Sequence, residues 1–162
     1  MKQPALLIVL IAVAFLALSI RILKSQTGFH LVVNLVTHPD EHFVKPDDVF
    51  KMDDPLILDT RTIDEYAVSH LQNATWMGFE NFSAGMIGDT PMDKTILVYC
   101  TVGSRSKNVM NILQQAGYKN AYNLYGGIIN WKNSGFKIVD ADELPTDAIH
   151  PYNKFWAFWV KK

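Results

Sequence analysis

The sequence predicts an α/β domain: a three-layer α/β/α arrangement around a central, mostly parallel sheet. Three observations carry that expectation. From about residue 42, short β-like runs alternate with helical patterns of about a dozen residues, the signature of βαβ units. The clearest run, Thr95-Ile96-Leu97-Val98-Tyr99, is apolar and β-rich throughout, which suits a strand covered on both faces. A chain of 162 residues with 49% hydrophobic content has enough apolar material for one packed domain and short appendages.

The elements follow in order. Leu56-Ile57-Leu58 is a compact apolar run closed by Asp59. Residues 62–70 carry helix formers, with Ile63, Tyr66 and Ala67 on one face. Ala74 to Met77 reads as a further strand, and Thr95 to Tyr99 as the central one. A helix over 104–116 places Val109, Ile112, Leu113 and Ala116 at helical spacing, with Gly117 as its stop. Ala121 to Leu124 is one more strand, after which Gly126-Gly127 turns the chain into a short helix containing Trp131. Residues 42–140 therefore form the domain. Residues 24–41 read as a linker or an extra edge element, and residues 141–162 as a loop leading into an aromatic tail.

Composition excludes several function classes. Fifteen basic against sixteen acidic residues leave no excess charge for a phosphate backbone, so nucleic acid is not an expected partner. A single cysteine, Cys100, excludes an internal disulfide framework and a CxxC-type zinc site. His38 and His42 are four apart but straddle Pro39, with no third His or Cys nearby, so no metal site is expected there.

One loop carries the chemistry. In open parallel sheets, ligands bind where strands end and helices begin. Here the clearest strand runs into Cys100-Thr101-Val102-Gly103-Ser104-Arg105-Ser106 and then into the amphipathic helix. A thiol at the mouth of such a loop meets backbone N–H groups and the positive end of a helix, a setting that favours negative charge and hence a thiolate. Gly103 supplies a residue free to turn with φ > 0, Ser104 or Ser106 is a candidate helix cap, and Arg105 adds a fixed positive charge. An isolated Cys is more often a small buried hydrophobe; the strand–Cys–Gly–Ser–Arg–Ser–helix context favours the reactive reading.

Four stretches, in order, resemble the rhodanese-like sulfurtransferases of single-domain type over roughly residues 42–139: LILDTRTIDEY (56–66), SHLQNATWM (69–77), ILVYCTVGSRS (96–106) and LYGGIINWKNSGFKI (124–138). In the second stretch Ser69 replaces the usual Gly, and Gln72-Asn73 the usual Pro-Gly. The resemblance implies that Cys100 is the nucleophile and that the backbone of Thr101, Val102, Gly103, Ser104 and Arg105 cradles the substrate. Arg105 stands five residues after Cys100, whereas related phosphatases carry one more loop residue, so the spacing favours a terminal sulfur over a phosphoryl group. The implied reaction passes a sulfane sulfur from a donor such as thiosulfate, through a Cys100 persulfide, to cyanide, a small thiol or a protein thiol, with no cofactor. A non-catalytic persulfide-sensing or binding module is the competing reading. Asp59, Arg61, His70 and Ser106 are expected to support the loop structurally, the first two as a buried charge pair.

The two ends remain. Residues 5–20, ALLIVLIAVAFLALSI, span roughly 24 Å as a helix and about 28 Å if continued through Arg21 to Leu23, against a ~30 Å hydrocarbon core. An uncleaved membrane anchor over residues 5–23, a cleaved signal peptide ending near Ala17 and Ser19, and a buried core helix all compete. The expected location is the membrane, with the domain on the extracytoplasmic (periplasmic) face, or a soluble periplasmic or secreted form after cleavage. Lys2 on one flank and Arg21 with Lys24 on the other nearly balance the positive-inside count. In the tail, Tyr152, Phe155, Trp156 and Trp159 fall at i, i+3, i+4 and i+7, predicting a helix packed on the domain or lying in a lipid interface with Lys154, Lys161 and Lys162.

Overall fold

β-Rich runs build the sheet of this computed structural model, which describes residues 3–161. β1 (Phe43–Val44), β2 (Leu56–Asp59), β3 (Thr75–Trp76), β4 (Ile96–Tyr99) and β5 (Ala121–Leu124) lie in the order β1-β5-β4-β2-β3, every neighbouring pair parallel. Antiparallel pairing is confined to β6 (Ile138–Val139) with β7 (Pro145–Thr146) and to a bridge between His70 and Val139. The apolar run that predicted a two-sided strand is β4, whose four residues are fully buried at the sheet centre. Its register with β2, from Leu56↔Ile96 to Asp59↔Tyr99, sets the end of β2 beside the residue preceding Cys100.

Alternation along β4 divides the core. Ile96 and Val98 pack with Leu58, Val109, Met110 and Leu113 under α5 (Ser104–Gln115). Leu97 and Tyr99 pack with Leu124, Ile128 and Trp131 under α6 (Gly127–Asn133), joined by Val49 of α3 (Pro46–Val49). Each fully buried aliphatic side chain contributes about 1.5–3 kcal/mol, so the two layers hold the sheet from both sides. α4 (Ile63–Val68) starts on a capping box in which Thr62 and Glu65 satisfy each other's backbone N–H groups. α5 ends at Gln115, one residue short of the expected end at 116, with Gly117 at φ +106.

Residues 24–41 differ from the expected linker. They fold largely into α2 (Gln26–Thr37), capped by Ser25, whose hydroxyl accepts from the Gly28 N–H. Phe29 and Val33, one turn apart, are fully buried against Val102, Ile129 and Trp159. The linker expectation fails because only this tertiary partner gives those two side chains a face to cover. α2 departs from α1 (Gln3–Leu23) at 66°, and Gly28 permits the close turn, since a Cβ there would meet the Leu23 carbonyl oxygen at 2.3 Å.

The predicted aromatic helix is also shorter than expected. Only α7 (Lys154–Ala157) forms, capped by Asn153, while Tyr152 stands before it at φ +67 and so leaves the common stripe. Trp159 is buried, tilts against Phe29 at 6.2 Å, and donates its indole N–H to the Leu23 carbonyl at 2.9 Å.

From Ile8 to Leu23 the large apolar side chains of α1 are 45–72% exposed, which excludes the core-helix reading of that segment. Among the described residues no single helix is long and apolar enough to cross a membrane; α1 from Ile8 and α2 reach that threshold only as a bent pair. α2, however, has one face committed to the domain core.

Candidate active site

β4 delivers Cys100 to the end of the sheet, and the chain turns at Gly103, φ +101, directly into α5. Space at Gly103 is also tight, because a Cβ would lie 3.3 Å from the Leu124 carbonyl oxygen. The thiol is fully buried and accepts a hydrogen bond from the Gly103 N–H at 3.2 Å. The loop's carbonyls are tied down elsewhere. Those of Cys100 and Thr101 accept from the N–H groups of Ile128 and Ile129 at the start of α6, at 3.0 and 3.3 Å. That of Gly103 accepts from the Asn123 side chain at 2.8 Å and from the Lys107 N–H at 3.2 Å. Among the described residues, the N–H groups of Thr101, Val102, Ser104, Arg105 and Ser106 donate to no protein acceptor. A buried sulfur therefore sits with a run of free donors at the positive end of a three-turn helix, an arrangement suited to an anion.

Gly127 makes that packing possible. Gly127 adopts φ +54, and a Cβ on it would meet the Cys100 carbonyl oxygen at 2.2 Å. Neither serine caps α5 as expected: Gly103 holds the cap position, Ser104 is exposed in the first turn, and the buried Ser106 hydroxyl donates to Asn123 Oδ1 at 2.8 Å. The cap is displaced because the loop's tight turn needs positive φ where a serine cap would be extended.

Arg105 lies beside this thiol, with most of its donors occupied. Its two terminal nitrogens grip the Glu65 carboxylate at 2.7 Å each, and one also reaches Thr101 Oγ1 at 2.7 Å. Thr101 in turn donates its hydroxyl to Glu65 at 2.7 Å. Burial pushes the Glu65 carboxyl up, but the bonds from Arg105, Thr101 and the Thr62 N–H outweigh it and hold the group at about 2. Burial likewise opposes the Arg105 charge, yet Glu65 and the nearby Cys100 raise its pKa. The guanidinium lies 5.3 Å from the Phe79 ring centre and 4.5 Å from that of Tyr152. Phe79 also walls a cleft of about 300 Å³ with Thr62, Trp76 and Met77.

The expected supporting residues are built into the frame. Asp59 and Arg61 are both fully buried and paired, with Arg61 Nη2 to Asp59 Oδ2 at 2.6 Å, and Arg61 also donates to the Ser69 carbonyl. Their link fixes the end of β2 to the segment that carries His70. The His70 ring is stacked on Tyr66 at 3.9 Å, with its nitrogens 3.1 Å from the Tyr66 carbonyl and Glu143. His70 therefore joins α4, through Nδ1, to the β6–β7 turn, through Nε2.

Three participants are residues that the sequence does not place at the site. Glu65 had a usable signal, the Thr62-x-x-Glu65 capping pattern. Asn123, fully buried between the loop and α5, and Tyr152, reaching Arg105 from the tail, had none. Away from the site, Asp40, Glu41 and His42 bring one ligand atom each within 4.8 Å of one another on an exposed turn, while His38 is not in that group and closes α2 at φ +43.

Comparison with known proteins identifies the family and matches the fold. The family model described as Rhodanese-like domain matches residues 47–134. A curated protein named "Sulfurtransferase" from Allochromatium vinosum is 34% identical over 87 residues, covering 54% of this chain and 80% of its own length. A tRNA uridine(34) hydroxylase from Yersinia pestis is 35% identical over 98 residues, but the chain spans only 28% of that protein. Among solved structures, the rhodanese-like domain of an Anabaena protein superposes with a TM-score of 0.57 at 22% identity, covering 68% of this chain and 88% of that one. A Helicobacter pylori protein gives 0.52 at 27% identity, over 63% and 92%. The family match spans β2 to β5, α4 to α6 and the loop from Cys100 to Arg105.

Proposed function

Because the chain belongs to the rhodanese-like domain family, we propose that it is a sulfurtransferase that carries a sulfane sulfur from a donor such as thiosulfate to a thiophilic acceptor as a Cys100 persulfide. The observation that carries the reading is the buried Cys100 sulfur facing unpaired loop N–H groups at the start of α5. In the first step the Cys100 thiolate attacks the outer sulfur of thiosulfate. The new Sγ–S bond forms as the donor's S–S bond breaks, and sulfite leaves with the electron pair. The free N–H groups are placed to hold the resulting terminal persulfide anion. In the second step cyanide, a small thiol or a protein thiolate attacks that terminal sulfur and returns Cys100 as thiolate. Cys100 is the sole cysteine, so discharge depends on an external acceptor.

The test is intact-mass measurement after incubation with thiosulfate. The wild-type chain gains one sulfur, about 32 Da for a persulfide, loses it on adding cyanide, and Cys100→Ser gains nothing. An unchanged wild-type mass under donor excess overturns the reading, and sulfur that loads but resists every small acceptor favours a sensing or binding module.

The proposal extends to location. The exposed apolar surface of α1 supports attachment to a bilayer, with the domain on the extracytoplasmic side. Fractionation with protease added to spheroplasts tests both parts. A soluble chain with its N-terminus intact rejects attachment, and full protease protection of a membrane-bound chain reverses the facing.

A further inference from the structure

Tyr152 belongs to the tail, outside the segment 47–134 that matches the family, yet its ring centre is 4.5 Å from the Arg105 guanidinium carbon. Arg105 has one polar edge and two faces to satisfy. The edge goes to Glu65 and Thr101 through both terminal nitrogens, and among the described residues no protein acceptor takes Nε. Phe79 at 5.3 Å is the second ring in contact with the guanidinium. The tail is held firmly enough to fix such a contact. Asn133 donates to the Trp159 carbonyl at 2.6 Å and accepts from the Lys161 N–H at 2.9 Å, and Trp159 packs with Phe29 and with Val102 of the loop itself. Asn153 caps α7 immediately after Tyr152, which sets where the ring leaves the backbone.

We propose that Tyr152 is a positioning residue: its ring fixes the Arg105 guanidinium beside Cys100 and so strengthens capture of an anionic sulfur donor. A guanidinium stacked on an aromatic face at this range is attracted to the ring's negative quadrupole. Glu65 and Thr101 hold the terminal nitrogens by the edge, whereas the Tyr152 ring restrains a face of the guanidinium. The substrate named here rests on the proposed sulfur transfer, whereas the geometry does not.

Two measurements on the full chain test the proposal separately from that reading. In the first, thiosulfate kinetics are followed for Tyr152→Ala, Tyr152→Leu and Tyr152→Phe. Ala and Leu raise KM for thiosulfate about three- to tenfold with kcat within twofold, matching the range of a partly desolvated cation–π contact, and Phe restores the wild-type KM because it keeps the ring. In the second, the sole thiol is alkylated with iodoacetate and with neutral iodoacetamide. The ratio of the two rates falls by a similar factor in Ala and Leu but not in Phe. Leu keeps the bulk without a π face, so it answers the question even where Ala loosens the tail. An unchanged alkylation ratio in Leu, or an equal change in Phe, overturns the proposal. A chain that shows the alkylation pattern but no sulfur transfer retains the Tyr152 role and rejects the enzymatic reading.

Discussion

Glu65 sets a carboxylate into the same network as Cys100, and Arg105 is what makes that tolerable. With its carboxyl held at about 2 instead of the ordinary 4.5, Glu65 is ionised at neutral pH and compensates the Arg105 charge. The free N–H groups, rather than a net cation, are then left as the main attraction for an anion. Glu65→Gln breaks a pair whose members are 1% and 13% exposed, and about 3 kcal/mol of unfolding free energy should be lost in urea titration. The sign of the pH effect follows from the depressed folded value: Glu65 contributes its full stability above about pH 4.5 and loses it as pH falls toward 2. The gap between wild type and Glu65→Gln should therefore close over that window. Arg105→Ala should slow persulfide formation about ten- to a hundredfold, or 1–3 kcal/mol of barrier, because the backbone donors remain. Cys100→Ser should abolish it. Comparable inactivation by both, with folded proteins, contradicts that division.

Between elements, the loop is held by α6 on one side and Asn123 of β5 on the other. Asn123→Ala removes the acceptor of the buried Ser106 hydroxyl and one of the two donors to the Gly103 carbonyl, which should cost about 1–3 kcal/mol for a buried group left unsatisfied and slow sulfur loading in the same variant. Gly127→Ala attacks from the other side, placing a methyl 2.2 Å from the Cys100 carbonyl oxygen at φ +54. It should reduce persulfide formation by more than its effect on Tm suggests. Much of this frame was legible in advance. Strands such as β4 and β5 declare themselves through apolar, β-prone runs, and Cys100, Gly103 and Arg105 through their place between strand and helix. α2 did not, since Phe29 and Val33 acquire an inward face only from Trp159 and Val102, far along the chain. Asn123 and Tyr152 escaped for the same reason: their partners are set by the folded sheet and the docked tail, not by neighbours in sequence.

Across the whole molecule, the region before β1 and the region after β7 meet over the loop. Phe29, Val33, Val102, Ile129 and Trp159 form one buried cluster, so residues 42–140 isolated from the rest lack three of its five members. With about 1.5–3 kcal/mol for each fully buried apolar side chain, that shortened domain should melt well below the full chain and load sulfur poorly, as thermal unfolding and intact mass will show. Synthesis order gives the indole bond from Trp159 to the Leu23 carbonyl another meaning. α1 is made first, and a hydrophobic helix can engage lipid before the sheet exists. The cover over Val102, by contrast, cannot close until residue 159 has been translated, 136 residues after its partner. During that interval the loop at Cys100 lacks its outer packing, so a nascent chain should become competent to accept sulfur only late, once residue 159 has docked.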